Sequence, residues 1–506
     1  MRHLLGIDIG TTGLKVSLLN ERGGMVGSEY CEYPLSSPQP GYVEQDPQDW
    51  WAGVISACQA LKRSCTAQFK EIAGIGICGQ MHTQVYLDQE AQVLRPAINW
   101  MDQRSNDIVD QINRDEEAKD LMFQETRNFA TTTYTAPHVK WVKEHQPEVW
   151  NQVAHILVAK DFIKFKLTGQ MVTDYAEASG TLLFDVEKER WSDRMFDFFG
   201  FPRFIFPEVL PSDEIIGSVT REAAQLTGLK AGTPVVNGSS DCSASSLGAG
   251  MLRSGQVTLI IGTAGVIAVC SDKPLADQEN RTLCWHYCLR DKWITLGIMQ
   301  TAGESLHWFK NAFDKNQGND EHPEDIFEQY NFAAGKVPEG SGGLVFLPYL
   351  NGERTPYWDP FARGLFYGIS LSTEKAHFIR AIMEGVSFGL RNNIETVESL
   401  GIEIGEVRAV GGGLKSTVWL NILGKILRKP IVTVSVRDTA NLGNILLCGK
   451  ALGIYSSYEE AISGMVTSDR QVYDPAGTET YEKQYALFLE LYDQLKGTFR
   501  RSALYH

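Results

Sequence analysis

A five-residue motif occurs twice in this chain, about half the chain length apart. Residues 9–13 and residues 261–265 both read Ile-Gly-Thr-x-Gly, and each copy lies between two short apolar runs. Repetition at such a distance is typical of a duplicated domain. The 506 residues are also enough for about two to four domains of ordinary size. We therefore predict two related α/β domains, residues 1–247 and 248–506, that face each other across a cleft.

The residues around each copy favour alternating strands and helices. Three apolar runs separated by Gly and polar turns between Leu4 and Leu35 predict an antiparallel meander. Asp46-Pro47 then begins an amphipathic helix, and the run IAGIGICGQ at 72–80 predicts a buried strand. The run VTLIIGTAGVIAVC at 257–270 is shorter than a bilayer span and contains Gly and Thr, so it favours a buried hairpin. This order is typical of the α/β class.

The charge balance limits the kinds of partner that we expect. The formal net charge is -15, which gives no overall basis for nucleic-acid binding. An anionic ligand must therefore be held locally, by backbone amides, helix N-termini or a bound cation. Nine scattered cysteines indicate reduced thiols, and the apolar run at the N-terminus is too short for a signal peptide. We expect a cytoplasmic protein that binds no membrane, and we expect a homodimer only because such oligomers are common.

The first copy of the motif has the composition of a phosphate site. In the predicted hairpin tip, glycines let backbone amides approach an anion, hydroxyls donate to phosphate oxygens, and Asp8 would hold Mg²⁺, through water. The structural alternative is a plain hairpin in which Asp8 caps its own turn. The second copy favours the phosphate interpretation. The candidate nucleotide-binding residues are Gly10, Thr11, Thr12, Lys15, Gly262 and Thr263.

Asp241 is the candidate general base. It ends the run PVVNGSSD, after a predicted buried strand and before a helix of small residues, where a carboxylate could reach a substrate hydroxyl. The alternative is that Asp241 is the N-cap of that helix, and both roles could hold together. The chain has no GxxxxGK[ST] sequence and no protein-kinase motif set, which excludes those two nucleotide sites.

Two further segments are candidates for binding. Gly411, Gly412 and Gly413 follow an apolar strand, so their backbone could lie against a base or ribose, although a tight βα turn is the simpler explanation. A polar substrate pocket is predicted from residues that follow a strand or a turn, with a histidine for hydrogen bonding and a tryptophan for stacking. Its candidate residues are Met81, His82, Trp100, Asp102, Asp241 and Cys242. Taken singly, such residues are more often structural.

As an ordered set, these segments resemble the FGGY carbohydrate kinases over nearly the whole chain, and within that family most closely the xylulokinases. The segments that carry the resemblance are GIDIGTTGLKV (6–16), EQDPQDWW (44–51), GQMH (79–82), RPAINWMDQR (95–104), TAPHVKWV (135–142), AKDFIKFKLTG (159–169), GSSD (238–241), IGTAG (261–265), LPYLNGERTP (347–356), GLFYGI (364–369), HFIRAIMEG (377–385) and GGGLKSTVW (411–419).

The resemblance implies two ribonuclease-H-like domains in an actin/hexokinase-like architecture, with ATP and sugar meeting in the cleft. It implies ATP-dependent phosphorylation of a sugar hydroxyl, with D-xylulose as the first candidate. Other ketoses, polyols or sugar acids are alternatives, and so is a non-catalytic nucleotide-dependent sugar sensor. The implied roles are Asp241 as the base, Asp8 for Mg²⁺, Thr11, Thr12 and Thr263 for phosphates, Gly411 to Gly413 for adenosine, and Met81 and His82 for the sugar.

The chain departs from the family pattern at four places, one of which is His138, where the family has Lys after Ala-Pro. Cys242 follows the implied base, where Asn is usual, and Thr83 follows the Met-His pair, where Gly is usual. A thiol is a poorer hydrogen-bonding partner than an amide, so we expect these two positions to shape the choice of sugar. The family's late Ala-Leu-Gly-Ala-Ala segment reads Ala440-Asn-Leu-Gly-Asn444 here, and we expect this segment near the nucleotide.

Overall fold

The structure is a computed structural model that describes residues 1–314, 323–411, 416–434, 436, 438–466, 468–472 and 478–502. Gly412 and Gly413, which the sequence suggests for adenosine binding, lie outside the described residues. The strands are β1 (His3–Ile9), β2 (Gly13–Asn20), β3 (Met25–Glu32), β4 (Glu44–Gln45), β5 (Ile72–Gly79), β6 (Gln84–Leu87), β7 (Ala97–Ile98), β8 (His155–Val158), β9 (Val172–Asp174), β10 (Phe184–Asp185), β11 (Arg190–Trp191), β12 (Glu208–Leu210), β13 (Ile215–Ser218), β14 (Pro234–Val236), β15 (Ser239–Ser240), β16 (Gln256–Ile261), β17 (Gly265–Ser271), β18 (Leu283–His286), β19 (Trp293–Met299), β20 (Val345–Leu347), β21 (Leu365–Tyr367), β22 (Glu406–Val410), β23 (Ile431–Val434) and β24 (Ser468–Val472). The helices are α1 (Pro47–Ser64), α2 (Thr66–Phe69), α3 (Asn106–Arg114), α4 (Glu116–Thr126), α5 (Thr135–His145), α6 (Pro147–Trp150), α7 (Ala159–Thr168), α8 (Tyr175–Ser179), α9 (Asp193–Phe199), α10 (Arg221–Thr227), α11 (Asp241–Gly248), α12 (Glu304–Phe313), α13 (Pro323–Lys336), α14 (Lys375–Glu398), α15 (Thr417–Leu427), α16 (Thr439–Ala451), α17 (Tyr458–Met465) and α18 (Glu479–Ser502).

The first sheet contains the predicted N-terminal meander. Its strands follow the order β13-β14-β5-β1-β2-β3, and β15 also pairs with β5. The apolar side chains of β1 and β2 are buried, which explains the near-continuous apolar runs in their sequences. Helix α1 begins at Pro47, where the side chain of Asp46 accepts a hydrogen bond from the backbone of Gln48, as the sequence predicts. Strand β1 therefore lies between an antiparallel and a parallel neighbour, β2 and β5.

The second sheet repeats this arrangement. Its order is β18-β19-β17-β16-β22-β23-β24, and β16 lies between antiparallel β17 and parallel β22. The two copies of the repeated motif thus occupy equivalent hairpins, β1–β2 and β16–β17. This equivalence confirms the expected fold class of two related α/β halves with ribonuclease-H-like strand order. The boundary between residues 247 and 248 stays a prediction.

Helix α16 belongs to the second half of the chain but packs against β1, β5 and α11 of the first half. The contact requires glycine, because a Cβ atom on Gly76 of β5 would lie 2.1 Å from the carbonyl oxygen of Asn444. A Cβ on Gly443 of α16 would similarly lie 1.9 Å from the carbonyl oxygen of Ala244. Bare backbone on both sides lets the helix approach closely, so the two halves are tightly coupled here.

None of the nine cysteines forms a disulfide, as the sequence predicts. Among the described helices, none combines the length and the apolar character that a membrane crossing requires.

Candidate active site

Asp8 and Asp241 lie at the same edge of the first sheet. Strands β1 and β15 both run parallel to β5, with Asp8 opposite Cys78 and Ser240 opposite Gly79. Asp241 follows Ser240 directly as the first residue of α11. Because the carboxyl ends of parallel strands meet at one edge, the two carboxylates come within each other's electrostatic field.

Burial disfavours the ionised form of both carboxylates. It raises the pKa of Asp241 to about 6. Burial and the nearby charge of Asp241 together raise the pKa of Asp8 to about 7. The backbone amide of Cys242 donates to Asp241 Oδ1 over 2.6 Å. The alternative role of Asp241 as the N-cap is wrong, because the side chain of Ser240 accepts from the backbone of Ser243 instead.

The donor set at this edge fits a hard divalent cation. A cation between Asp8 and the substrates would relieve the repulsion between two partly buried carboxylates, and carboxylate oxygen is a preferred ligand of Mg²⁺. In the part of the chain that the structure describes, no group of three or more His, Cys, Asp or Glu residues could hold a metal alone. An ion beside Asp8 would therefore take its other ligands from water and nucleotide phosphates, as Mg²⁺ commonly does.

Hydrogen bonds fix the backbone of the first glycine-threonine loop, residues 10–13, and one of its side chains is exposed to solvent. The backbone amide of Gly10 donates to the carbonyl oxygen of Gly13 over 3.1 Å, and Tyr33 donates its hydroxyl hydrogen to the carbonyl oxygen of Gly10. Gln45 Nε2 donates to the carbonyl oxygen of Thr11 over 2.8 Å. Thr12 is exposed. The loop thus has a fixed backbone and presents a free hydroxyl to solvent.

The second loop, residues 262–264, rests on the start of α12. The amides of Ala302 and Gly303 donate to the carbonyl oxygens of Thr263 and Gly262, both over 2.9 Å, and the two loop residues are exposed. Gly411 lies beside this loop, because β22 pairs with β16. Its φ of 116° and a distance of 2.6 Å from a Cβ to the carbonyl oxygen of Ile261 require glycine. The structure therefore brings Gly411 and the second loop together.

His82 is held as a neutral hydrogen-bond acceptor. It belongs to a cluster that we call the wall of the site, formed by His82, Trp100, Tyr134, Trp285 and Arg354. Its Nδ1 lies 2.6 Å from the carbonyl oxygen of Gly180, which can only accept, so Nδ1 carries the hydrogen. Burial lowers the pKa of His82 to about 4. The ring stands edge to face against Tyr134 and Trp285, with centroids 5.3 and 5.2 Å away. Nε2 is left as a hydrogen-bond acceptor.

Two residues of this wall come from the second half of the chain, and sequence reasoning missed both. Trp285 on β18 packs on His82 and donates from Nε1 to the hydroxyl of Tyr134 over 3.3 Å. The guanidinium of Arg354 lies 5.7 Å from the ring centroid of Trp100, and its charge also lowers the pKa of His82. Arg354 stands in the quoted segment LPYLNGERTP, which was the only sequence signal for it.

Asp102 is paired with an arginine in the structure, and its predicted contact with substrate stays a prediction. Its side chain is fully buried, and Arg104 donates to both carboxylate oxygens over 2.8 Å. The backbone amide of Val43 donates to Oδ2 over 2.6 Å. Asp102 therefore holds this arginine and the neighbouring loop.

Trp100, Met81 and Cys242 are the other residues predicted for the pocket, and Thr83 is a position expected to shape it. Trp100 reaches the first loop, since its Nε1 donates to Thr11 Oγ1 over 3.1 Å. Thr83 is fully buried and its hydroxyl accepts from the backbone amide of Trp100 over 3.3 Å, so it acts on the pocket through that residue. Met81 is almost fully buried, and Cys242 is partly buried beside Asp241 with a thiol whose pKa burial raises to about 12.

A buried charge network supports the strand that leads to Asp241. Lys160 Nζ lies 2.9 Å from Asp161 and 3.0 Å from Asp174, and all three side chains are buried. Asp174 in turn accepts from the hydroxyl of Ser239, two residues before Asp241, over 3.1 Å. Such a network fixes the local backbone, because each buried charge has a partner.

Comparison with known proteins covers both halves of the chain. Residues 3–248 match the sequence model of the N-terminal domain of the FGGY family of carbohydrate kinases, and residues 257–452 match that of its C-terminal domain. The xylulose kinase of Bacillus subtilis is 33% identical over 497 residues, 98% of each chain, and the gluconokinase of the same organism is 29% identical over 97% of this chain and 95% of that one. The crystal structure of xylulose kinase from Rhodospirillum rubrum superposes with a TM-score of 0.92 at 30% identity, covering 99% of this chain and 100% of that one.

Proposed function

Because the chain belongs to the FGGY family of carbohydrate kinases, we propose that it phosphorylates D-xylulose with ATP to give D-xylulose 5-phosphate. The family's substrates are a sugar and ATP, and this protein is a phosphotransferase of that family. The observation that carries the choice of sugar is the similarity to xylulose kinases over both halves of the chain. Division into domains at residues 247 and 248, a cytoplasmic location and a homodimer stay predictions.

Asp241 is the proposed general base. It accepts the proton of the sugar hydroxyl while the hydroxyl oxygen forms a bond to the γ-phosphorus and the bond from that phosphorus to the ADP oxygen breaks. A carboxylate with a pKa of about 6 is mostly ionised at neutral pH and is still basic enough to take part in proton transfer. Phosphoryl transfer depends mainly on in-line positioning and charge neutralisation, so few further groups need to react.

The phosphate side of the proposed site consists of the two glycine-threonine loops. The exposed hydroxyls of Thr12 and Thr263 and the loop amides would hold phosphate oxygens, with Lys15 adding positive charge. Asp8 would hold Mg²⁺, which supplies the positive charge that neutralises the phosphates. Gly411, with Gly412 and Gly413, would border the adenosine.

The sugar side of the proposed site is the wall around His82. Nε2 of His82 would accept from a sugar hydroxyl, and the faces of Trp100 and Trp285 would cover the carbon skeleton. A second candidate substrate is a sugar acid such as gluconate. The guanidinium of Arg354 in this wall would pair with a carboxylate, and one relative is a gluconokinase.

The test is ADP formation from ATP and Mg²⁺ with a panel of pentuloses, hexuloses, polyols and sugar acids. We expect D-xylulose to have the highest kcat/KM and Asp241→Ala to lower turnover by about 100- to 10,000-fold. Asp197→Ala, which removes an exposed carboxylate on α9, is the matched control and should turn over normally. A higher kcat/KM for gluconate would select the second candidate, and turnover of no sugar would favour a nucleotide-dependent sensor.

A further inference from the structure

Helix α16 carries three polar side chains on the face that meets the first sheet. Asp438 is its N-cap, and Asn441 and Asn444 follow at intervals of three residues, which places all three along one side of the helix. Their exposed fractions are 7%, 0% and 0%. The two asparagines lie in the segment where this chain departs from the family's Ala-Leu-Gly-Ala-Ala. Most buried side-chain amides have hydrogen-bond partners, so the contacts of this polar stripe bear on its role.

The first part of the polar stripe holds strand β2 behind the first loop. Asp438 Oδ2 lies 3.1 Å from Lys15 Nζ and accepts from Ser17 Oγ over 2.7 Å. Asn441 Nδ2 donates to the same carboxylate oxygen over 3.1 Å and to the carbonyl oxygen of Lys15 over 3.3 Å. Both the backbone and the ammonium group of Lys15 are therefore tied to the second half of the chain.

The last residue of the stripe reaches Asp8 through one intermediate. Asn444 Nδ2 donates to the carbonyl oxygen of Ile7 over 3.0 Å and to Cys78 Sγ over 3.2 Å. The thiol of Cys78 donates in turn to Asp8 Oδ1 over 3.4 Å. The chain of contacts Asn444–Cys78–Asp8 thus fixes the backbone before the carboxylate and one of its two oxygens.

We propose that Asp438, Asn441 and Asn444 are positioning residues that orient Asp8 and Lys15 toward the magnesium-nucleotide complex. This inference rests on the proposed function, because it assigns the stripe to the phosphate side of the same site. A carboxylate that holds a cation binds it well only when hydrogen bonds fix its orientation, and such outer partners matter nearly as much as the ligands. Because the stripe belongs to the second half of the chain, its contacts also fix the position of the first loop relative to that half, which carries the second loop.

The test is calorimetric titration of ADP, with and without Mg²⁺, into wild-type protein, Asn441→Ala and Asn444→Ala. We expect each variant to reduce the gain in ADP affinity that Mg²⁺ gives by about tenfold, the usual effect of losing an outer partner. ADP affinity without Mg²⁺ and the KM for sugar should stay unchanged in Asn444→Ala. The matched control is Cys448→Ala on the same helix, a buried side chain one turn beyond Asn444 that packs toward Gly74. It should lower the melting temperature and leave the effect of Mg²⁺ intact.

The intermediate thiol gives a second readout. Cys78→Ser keeps a hydrogen-bond donor and should retain the effect of Mg²⁺, whereas Cys78→Ala should lose it. The inference is overturned if Asn444→Ala is destabilised like Cys448→Ala but binds ADP and Mg²⁺ like the wild type. Failure of the proposed function gives a different result. Wild-type protein that binds no ADP would overturn both the proposed function and this inference. Normal turnover by Asp241→Ala would remove only the proposed base, since calorimetry needs no turnover.

Discussion

Asp241→Asn should abolish most turnover and at the same time stabilise the fold. The substitution removes the charge of a partly buried carboxylate and keeps an oxygen that can accept from the backbone amide of Cys242. In the wild type, burial raises the pKa of Asp241 from 3.8 to about 6, so the folded protein holds this proton more tightly than the unfolded chain does. Ionisation of Asp241 therefore lowers stability as the pH rises from 3.8 through about 6.

The size of the expected gain in stability follows from the shift in the pKa of Asp241. At pH 8 the full shift corresponds to about 3 kcal/mol in the free energy of unfolding. At pH 4.5, folded Asp241 is protonated and the carboxyl of the unfolded chain is partly ionised. The corresponding difference in the free energy of unfolding is then about 1 kcal/mol. For a domain of about 250 residues, each kcal/mol moves Tm by about 2 to 4 °C. We therefore expect Asp241→Asn to raise Tm by several degrees at pH 8 and much less at pH 4.5.

The assay is thermal unfolding of the wild type and Asp241→Asn across this pH range, with turnover measured on the same samples. Asp197→Asn, at an exposed position, is the control and should change Tm at neither pH. A Tm for Asp241→Asn equal to that of the wild type at pH 8 would refute the reasoning, because the burial cost of the ionised base would then be absent. A gain of equal size at pH 4.5 and pH 8 would also refute it, since the gain must depend on ionisation.

Three further outcomes follow from the structure. His82→Ala should raise the KM for sugar by about tenfold, because one hydrogen bond is lost. Since burial lowers the pKa of His82 to about 4, the KM of the wild type should show no titration of this group between about pH 5 and pH 9. Cys242→Asn combined with Thr83→Gly should change the kcat/KM ranking of sugars; an unchanged ranking would show that neither position sets specificity. Gly76→Ala should lower the free energy of unfolding by about 1 to 3 kcal/mol in denaturant titration, because its Cβ would meet the backbone of α16, whereas Gly405→Ala, with open space at its Cβ, should not.

Local features were predictable because they depend on neighbours in sequence. The apolar alternation of β1 and β2, the cap at Asp46 and the repeated glycine turn all act over a few residues, and the structure has each of them. The repeat also predicted two related halves, because equivalent hairpins need equivalent residues. The ordered motifs predicted the family, which the comparisons confirm.

Positions that depend on distant packing were not predictable. Asp102 has the composition of a pocket residue, and the fold places Arg104 and Val43 on its carboxylate. Trp285 and Arg354 enter the wall only because the second half of the chain packs on the first.

The sequence by itself determined the secondary structure around the two motifs, the duplication and the family, because these follow from local periodicity and from an ordered set of short segments. Only the tertiary structure decided which polar groups are buried together. Hydrogen-bond satisfaction and desolvation depend on atoms hundreds of residues apart, as in the contact of Asn444 with Cys78. The protonation of Asp8 and Asp241 follows from that burial, which no sequence pattern contains.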